Sequence, residues 1–221
     1  MFDLISRYNI LEAFWVTVQL TFFSAIGALV LGTLVAAMRV SPIPVARWVG
    51  AAFVTVVRNT PLTLILVFTS IGLYTQLGWT LASDDIQDIN YRWAIIGLSV
   101  YTAAFVCESL RAGINTVALG QSEAGRSLGF GFAQNLRLIV LPQAFRAVIA
   151  PLGSVLIALT KNSTVASVIG VAEAALLMKS MIENEAAILT IGAIFALGFV
   201  VLTLPTGLIF GWLAKRYEVA R

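Results

Sequence analysis

Apolar residues run along this chain in long blocks, with polar residues confined to narrow gaps between them. A helix crosses the roughly 30 Å hydrocarbon core of a bilayer with about 20 mostly apolar residues. Five blocks reach that length, at about 14–38, 49–77, 93–114, 147–171 and 186–213. The first is closed by Arg39, Pro42 and Pro44, and the second is interrupted by Arg58-Asn59-Thr60-Pro61. Glu108 and Arg111 lie near the end of the third, Lys161-Asn162-Ser163-Thr164 lie inside the fourth, and Pro205 breaks the fifth. The pattern predicts an all-α polytopic membrane protein of about five transmembrane helices, with residues 1–221 forming a single domain. No internal repeat or low-complexity linker is visible.

Charge sets the expected orientation. Arg39 and Arg47 mark the 39–47 connection; Arg126, Arg137 and Arg146 outweigh Glu123 between 115 and 146; Lys215, Arg216 and Arg221 outweigh Glu218 at the tail. Acids dominate the alternate connections, with Asp84, Asp85 and Asp88 against Arg92, and Glu173, Glu183 and Glu185 against Lys179. The excess of basic residues in cytoplasmic loops then places the N-terminus outside and the C-terminus inside. Residues 1–13 hold Asp3, Arg7 and Glu12 before a full-length span, unlike a basic secretory leader, so the first span is expected to remain as an anchor.

Composition agrees with the spans and narrows the chemistry. The chain is 59% hydrophobic and only 11% charged, and its mean hydropathy is +0.94. The basic residues are dispersed, which argues against a nucleic-acid surface. The chain contains no histidine and one cysteine, Cys107, so Ser-His hydrolysis, multi-thiolate metal sites and an internal disulfide are excluded. Transport is left as the expected work.

The 115–146 connection is too elaborate for a linker. Ser122 is placed to cap a short helix with Glu123 in its opening turn, and Gly129 and Gly131 supply a tight reversal. Leu136, Ile139 and Val140 recur at helical spacing until Pro142, which is expected to end that element before the fourth span.

These residues resemble a known family. Glu123-Ala124-Gly125, Gly129 six residues after the glutamate, and Ile139-Val140-Leu141-Pro142 look like the EAA loop of ABC importer permeases, with Gly125 where the family pattern has alanine. The runs 57–62, 108–114 and 158–164 resemble the polar amino-acid branch, most closely the glutamate-uptake permeases of actinobacteria. The resemblance implies a type I importer permease with a cytoplasmic coupling loop of Glu123, Ala124, Gly125, Arg126, Gly129, Ile139, Leu141 and Pro142. Small residues at Ala124, Gly125 and Gly129 would let a partner approach closely, and Arg126 and Arg137 would offer charged contacts. It implies further an ABC ATPase dimer that binds ATP and Mg, a second homologous permease, an extracytoplasmic solute-binding protein, and a bacterial plasma-membrane location. No cofactor is expected in this chain, which has no G-x-x-x-x-G-K-[ST] phosphate loop.

Polar groups at membrane depth are the candidate substrate path, because a charge there costs about 2.5–3.5 kcal/mol and needs a reason. Lys161, Asn162, Ser163 and Thr164 either line a locally unwound segment of the path, or Lys161 pairs with an acid or reaches an interface. Arg58, Asn59 and Thr60 either belong to the path, with Asn59 or Thr60 facing the pore or satisfying the carbonyl freed by Pro61, or mark a structural kink from which Arg58 reaches cytoplasmic headgroups. Glu108 and Arg111, three apart, form an ion pair or a gate latch. Cys107, Gly27 and Gly32 read as packing residues. Relatives that carry cationic amino acids usually have aspartate where this chain has Asn162, so the resemblance favours an anionic or neutral solute. An ion-gradient-driven transporter or channel subunit is the alternative function, with Lys161 and Glu108 as coupling groups.

Overall fold

The computed structural model describes residues 7–81 and 83–217. Asp3, Glu218 and Arg221 lie outside the described residues. The elements follow in the order α1 (Ile10–Val40), α2 (Pro44–Asn59) and α3 (Leu62–Val67), which continues as a π-helical stretch, Phe68–Gln76. Then come α4 (Ile86–Asn115), α5 (Leu119–Ser127) and α6 (Phe132–Asn135), which runs through a π turn, Leu136–Val140, into α7 (Leu141–Asn162). A 3₁₀ segment, Ser163–Ile169, extends α7, and α8 (Ala174–Glu185) and α9 (Ile188–Tyr217) complete the chain.

Four stretches are long and apolar enough to span: α1, α4, Phe132–Ile169 and α9. The fifth expected span is a pair of helices, Pro44–Asn59 and Leu62–Gln76, meeting at 102°. Sequence and structure thus agree on up to five spans and on where the second is interrupted, but the interruption is a full corner. Pro61 lacks the N–H that would continue α2, and Thr60 turns extended. Asn59 Nδ2 donates to Thr55 O at 2.7 Å and Thr60 Oγ1 donates to Val56 O at 2.8 Å, so the side chains beside the break serve α2's last carbonyls. In α9, by contrast, Pro205 sits inside an unbroken helix.

The core is the contact of α1 with α4. A β-carbon on Gly32 would lie 2.7 Å from Val106 Cβ and 2.8 Å from Ala103 O; one on Gly27 would strike Ser99. Ser99 Oγ of α4 donates to Ser24 O of α1 at 3.3 Å, tying a side chain of one helix to the backbone of the other. Small residues permit this approach in a bilayer, where packing and not water exclusion holds helices together. Leu20, Leu66, Leu98 and Leu159 then bring α1, α3, α4 and α7 into one buried cluster. Cys107 is fully buried beside Val35, Val54 and Val57, a packing residue as expected. On α9, side chains such as Leu197, Val201 and Leu208 remain more than 60% exposed, as a lipid- or partner-facing helix requires.

Gly32→Ala is expected to destabilise the protein by about 1–3 kcal/mol, because the added carbon has nowhere to go without parting α1 from α4. Gly192→Ala, with no described atom within 4 Å of the new carbon, should leave the thermal midpoint of the purified protein unchanged. Equal midpoints for the two variants would contradict this account of the core.

Candidate functional site

The loop between α4 and α7 folds on itself. α5 ends at Ser127, and the chain reverses at Gly129, whose φ of +85° is the left-handed region that glycine enters without strain. Leu128 N–H donates to Ala124 O and Phe130 N–H donates to Gly125 O, closing the end of α5. Gly131 does not share this role: its backbone is extended, and it opens α6 with its N–H donating to Gln134 Oε1 at 3.2 Å.

Two expectations for the loop are corrected here. Ser122 does not cap α5, which begins at Leu119 after Ala118, so Ser122 lies inside the helix and Glu123 in its second turn. Ser122 instead accepts from Asn135 Nδ2, through O at 2.7 Å and Oγ at 3.0 Å, and so binds α5 to α6. Pro142 does not end an element either. It occupies the first turn of α7, where its missing N–H costs little, and the π turn just before it absorbs the change of register. Helix therefore runs unbroken from Phe132 to Ile169.

Gly125 is buried inside the loop, where a β-carbon would strike Ile139 and lie 3.2 Å from Asn135 Oδ1. Its small size serves the loop's own fold, which the sequence had assigned to contact with a partner. Glu123, Ala124, Arg126, Gly129, Arg137 and Leu141 are exposed, and so are Leu119 at 79% and Leu128 at 76%.

The polar residues of the fourth span separate. Asn162 lines a cavity of about 360 Å³ between α4 and α7, together with Tyr101, Thr102, Phe105, Ser154 and Ala158. Lys161 is exposed and does not line it; among the described residues it has no ion-pair partner. The segment after it is not unwound but tightened into 3₁₀ turns, in which Ser163 Oγ donates to Thr160 O and Thr164 Oγ1 to Lys161 O, both at 2.7 Å. Thr102, 3% exposed, is among the lining residues, and its buried hydroxyl has no hydrogen-bond partner.

Arg58 stacks over the Phe105 ring, 5.5 Å from its centroid, and so joins the cavity to a charged cluster. There Glu108 meets three arginines: Arg39 in direct contact, Arg58 at 3.7 Å and Arg111 at 3.9 Å. The expected Glu108–Arg111 pair exists, but it is the longest of the three. Arg39, 14% exposed, is the principal partner and ties α1 to α4.

A sequence model of the family described as binding-protein-dependent transport system inner membrane component matches residues 13–219. The chain belongs to this family. It is 57% identical over 218 residues to the glutamate transport system permease protein GluC of Corynebacterium efficiens, covering 96% of each chain. Identity to the protein of the same name in Corynebacterium glutamicum is 55% with the same coverage. Among solved structures, a chain of an amino acid ABC transporter crystallised with histidines superposes with a TM-score of 0.82 at 28% identity, over 98% of both chains. A chain of an inward-facing methionine ABC transporter shares the fold, with a TM-score of 0.74 at 19% identity over 95% and 96%. The chain is thus a bacterial inner-membrane permease subunit and not an enzyme.

Two residues of the permease cavity had no sequence signal, and a third residue, outside it, was read without its burial. Thr102 and Tyr101 read as ordinary residues of an apolar helix. Glu173 read as one acid of an outer loop, yet it is fully buried and caps α8, accepting from Ala175 N–H at 2.9 Å and Leu176 N–H at 3.0 Å. Thr17 Oγ1 of α1 accepts from Ala174 N–H at 3.1 Å and lies 3.5 Å from Glu173 Oε2. Burial pushes the Glu173 carboxyl up to about 7, against the lowering effect of those hydrogen bonds. The residues 174–185, expected as a loop, are a helix because this carboxyl closes its first turn.

A carboxyl whose folded pKa exceeds its unfolded one stabilises the fold most in acid and loses that contribution as pH rises through the folded value. The thermal midpoint of the permease is therefore expected to fall between pH 4.5 and about pH 7, and Glu173→Gln should flatten the slope. Parallel slopes for the two proteins would remove Glu173 as the cause. At the arginine cluster, double-mutant cycles with Glu108→Gln should give about 1–3 kcal/mol of coupling for Arg39→Gln. Arg58→Gln and Arg111→Gln, longer and more exposed, should give under about 1 kcal/mol each. Coupling at Arg111 equal to that at Arg39 would contradict the geometry.

Proposed function

We propose that this permease is a single-domain membrane subunit of an ATP-driven importer of polar amino acids, with glutamate as its substrate. The observation that carries the mechanism is the exposed loop. Leu119 and Leu128 stand in the open on an element outside the spans, beside Glu123, Arg126 and Arg137, a mixture of apolar and charged groups suited to a protein partner. That partner is a cytoplasmic ABC ATPase dimer, which holds ATP and Mg. A second homologous permease completes the path, a solute-binding protein delivers the substrate from outside, and the N-terminus faces out and the C-terminus in.

The unbroken helix from Phe132 to Ile169 gives the loop its lever. Its first turns belong to the coupling loop, and its far end carries Asn162 on the cavity wall. Closure of the ATPases moves the loop, and the helix transmits the motion to the wall opposite Tyr101 and Thr102, exchanging inward-open for outward-open access. The Asn162 amide offers neutral hydrogen bonds, and the arginines around Glu108 leave a positive surplus beyond Phe105, a field that favours an anion. Asn59 and Thr60 are engaged by their own helix, and Ser163 and Thr164 by the 3₁₀ turns, so their part is to shape the path. The ion-gradient alternative leaves the loop without a role and Lys161 outside the cavity.

Proteoliposomes holding the assembled transporter, given glutamate-bound solute-binding protein on the outside, should take up glutamate only with internal ATP. Asn162→Asp is expected to lower glutamate uptake on the order of tenfold, equivalent to about 1.4 kcal/mol. Uptake driven by an ion gradient without ATP would sink the reading, and unchanged uptake by Asn162→Asp would remove Asn162 from it.

A further inference from the structure

The ends of four spans enclose a second cavity, of about 910 Å³, that the proposed path does not use. One wall is the end of α1, from Thr33 to Pro42; the others are Leu110 and Ile114 ending α4 and Phe145 and Val148 beginning α7. Phe132 and Tyr217 close its sides. The lining is predominantly carbon, and the volume lies within the roughly 300–1,000 Å³ of small-molecule sites. Ala36 and Ala37 make the hollow, since larger side chains on that face of α1 would fill it.

All these walls lie on one side of the bundle, at the C-terminal ends of α1, α4 and α9 and the N-terminal end of α7, the side that carries Arg39, Arg146 and Lys215. In the orientation proposed above, on which this inference rests, that is the level of the inner leaflet's headgroups. Among the described residues one charged residue lines the cavity, Arg146, and no acid does. Arg146 is exposed and has no ion-pair partner among the described residues. An arginine on an apolar wall lays its stem along hydrocarbon and presents a planar guanidinium to an anion, matching a phosphate through two parallel hydrogen bonds. Lys215 and Arg216, in the turn that ends with Tyr217, add positive potential at the same end. A basic pocket between helices on the cytoplasmic side suits an anionic headgroup.

We infer that this cavity holds an anionic phospholipid of the inner leaflet, with an acyl chain between α1, α4 and α7 and its phosphate on Arg146. The lipid touches the packed α1–α4 pair on one side and the lever helix, at Phe132 and Phe145, on the other. Its headgroup charge therefore bears on the motion of the loop as well as on occupancy.

The test is native mass spectrometry of the assembled transporter released from vesicles of equal phosphatidylglycerol and phosphatidylethanolamine. Only intact complexes are counted, so a misfolded variant cannot imitate a lost lipid. Phosphatidylglycerol is expected to be retained preferentially; Arg146→Ala should cut its retention about fivefold, and Arg146→Lys should keep most of it. Ala37→Trp, which fills the hollow, should remove both lipids. A photo-cross-linker in place of Phe145 should capture phospholipid. Retention unchanged by both Arg146→Ala and Ala37→Trp would overturn the inference, as would capture of residues 218–221 or of the ATPase at position 145. Lipid retention is read without transport, so a complex that holds the lipid but ignores ATP would refute the proposed function alone.

Discussion

The near-contact of the α1 and α4 backbones is the constraint from which the rest of this permease follows. Two glycines on α1 let it lie directly against Ser99, Ala103 and Val106 of α4. At that separation, Arg39 at the end of α1 reaches Glu108 on α4, and the carboxylate is then held where Arg58 and Arg111 can share it. α2 must leave from the end of α1 and return its own Arg58 to the same carboxylate. The corner at Pro61 then carries α3 back along α4. A substitution that parted α1 from α4 would thus disturb the ion pairs and the corner together.

The elements that a linear pattern encodes were legible, and those that depend on meeting a distant residue were not. Five apolar blocks, the break at Pro61 with Asn59 and Thr60 serving nearby carbonyls, and the reversal at Gly129 are local matters of length, a missing N–H and a left-handed φ. Arg39 stood in plain view as the last charge of the first span, but nothing in spacing told that its partner was Glu108, 69 residues on. Glu173 was misread for the same reason. An acid in a polar connection looks solvated until the fold brings Thr17 and the start of α8 around it. Thr102 gave no signal at all, since a threonine in an apolar helix ordinarily bonds its own backbone, as Thr160 does.

Pro142 shows how a correct rule led to a wrong boundary. Proline ends a helix when it needs the N–H it lacks and when the preceding turn leaves no room for its ring. Here a π turn over Leu136–Val140 widens that preceding turn, so the proline enters the first turn of α7 and the helix continues. The consequence is mechanical. A break at Pro142 would have left the loop hinged to the membrane, so that movement of the loop could be lost in the hinge. Continuity makes the loop and the cavity wall parts of one body.

The permease then divides into a frame and a lever. About half of the most apolar stretch of α4 is buried within the chain, against 22% of the most apolar stretch between Phe132 and Ile169. An element with fewer buried contacts opens and shifts at lower cost than one locked on both sides. The frame also carries the ion pairs, whereas Lys161 and Arg146 on the lever have no ion-pair partner among the described residues. Charges without internal partners resist no displacement, and they can take different neighbours at the two ends of a stroke. The placement of the ion pairs therefore does in this chain what a hinge would do elsewhere: it leaves one helix free of charged ties to a pair that they lock together.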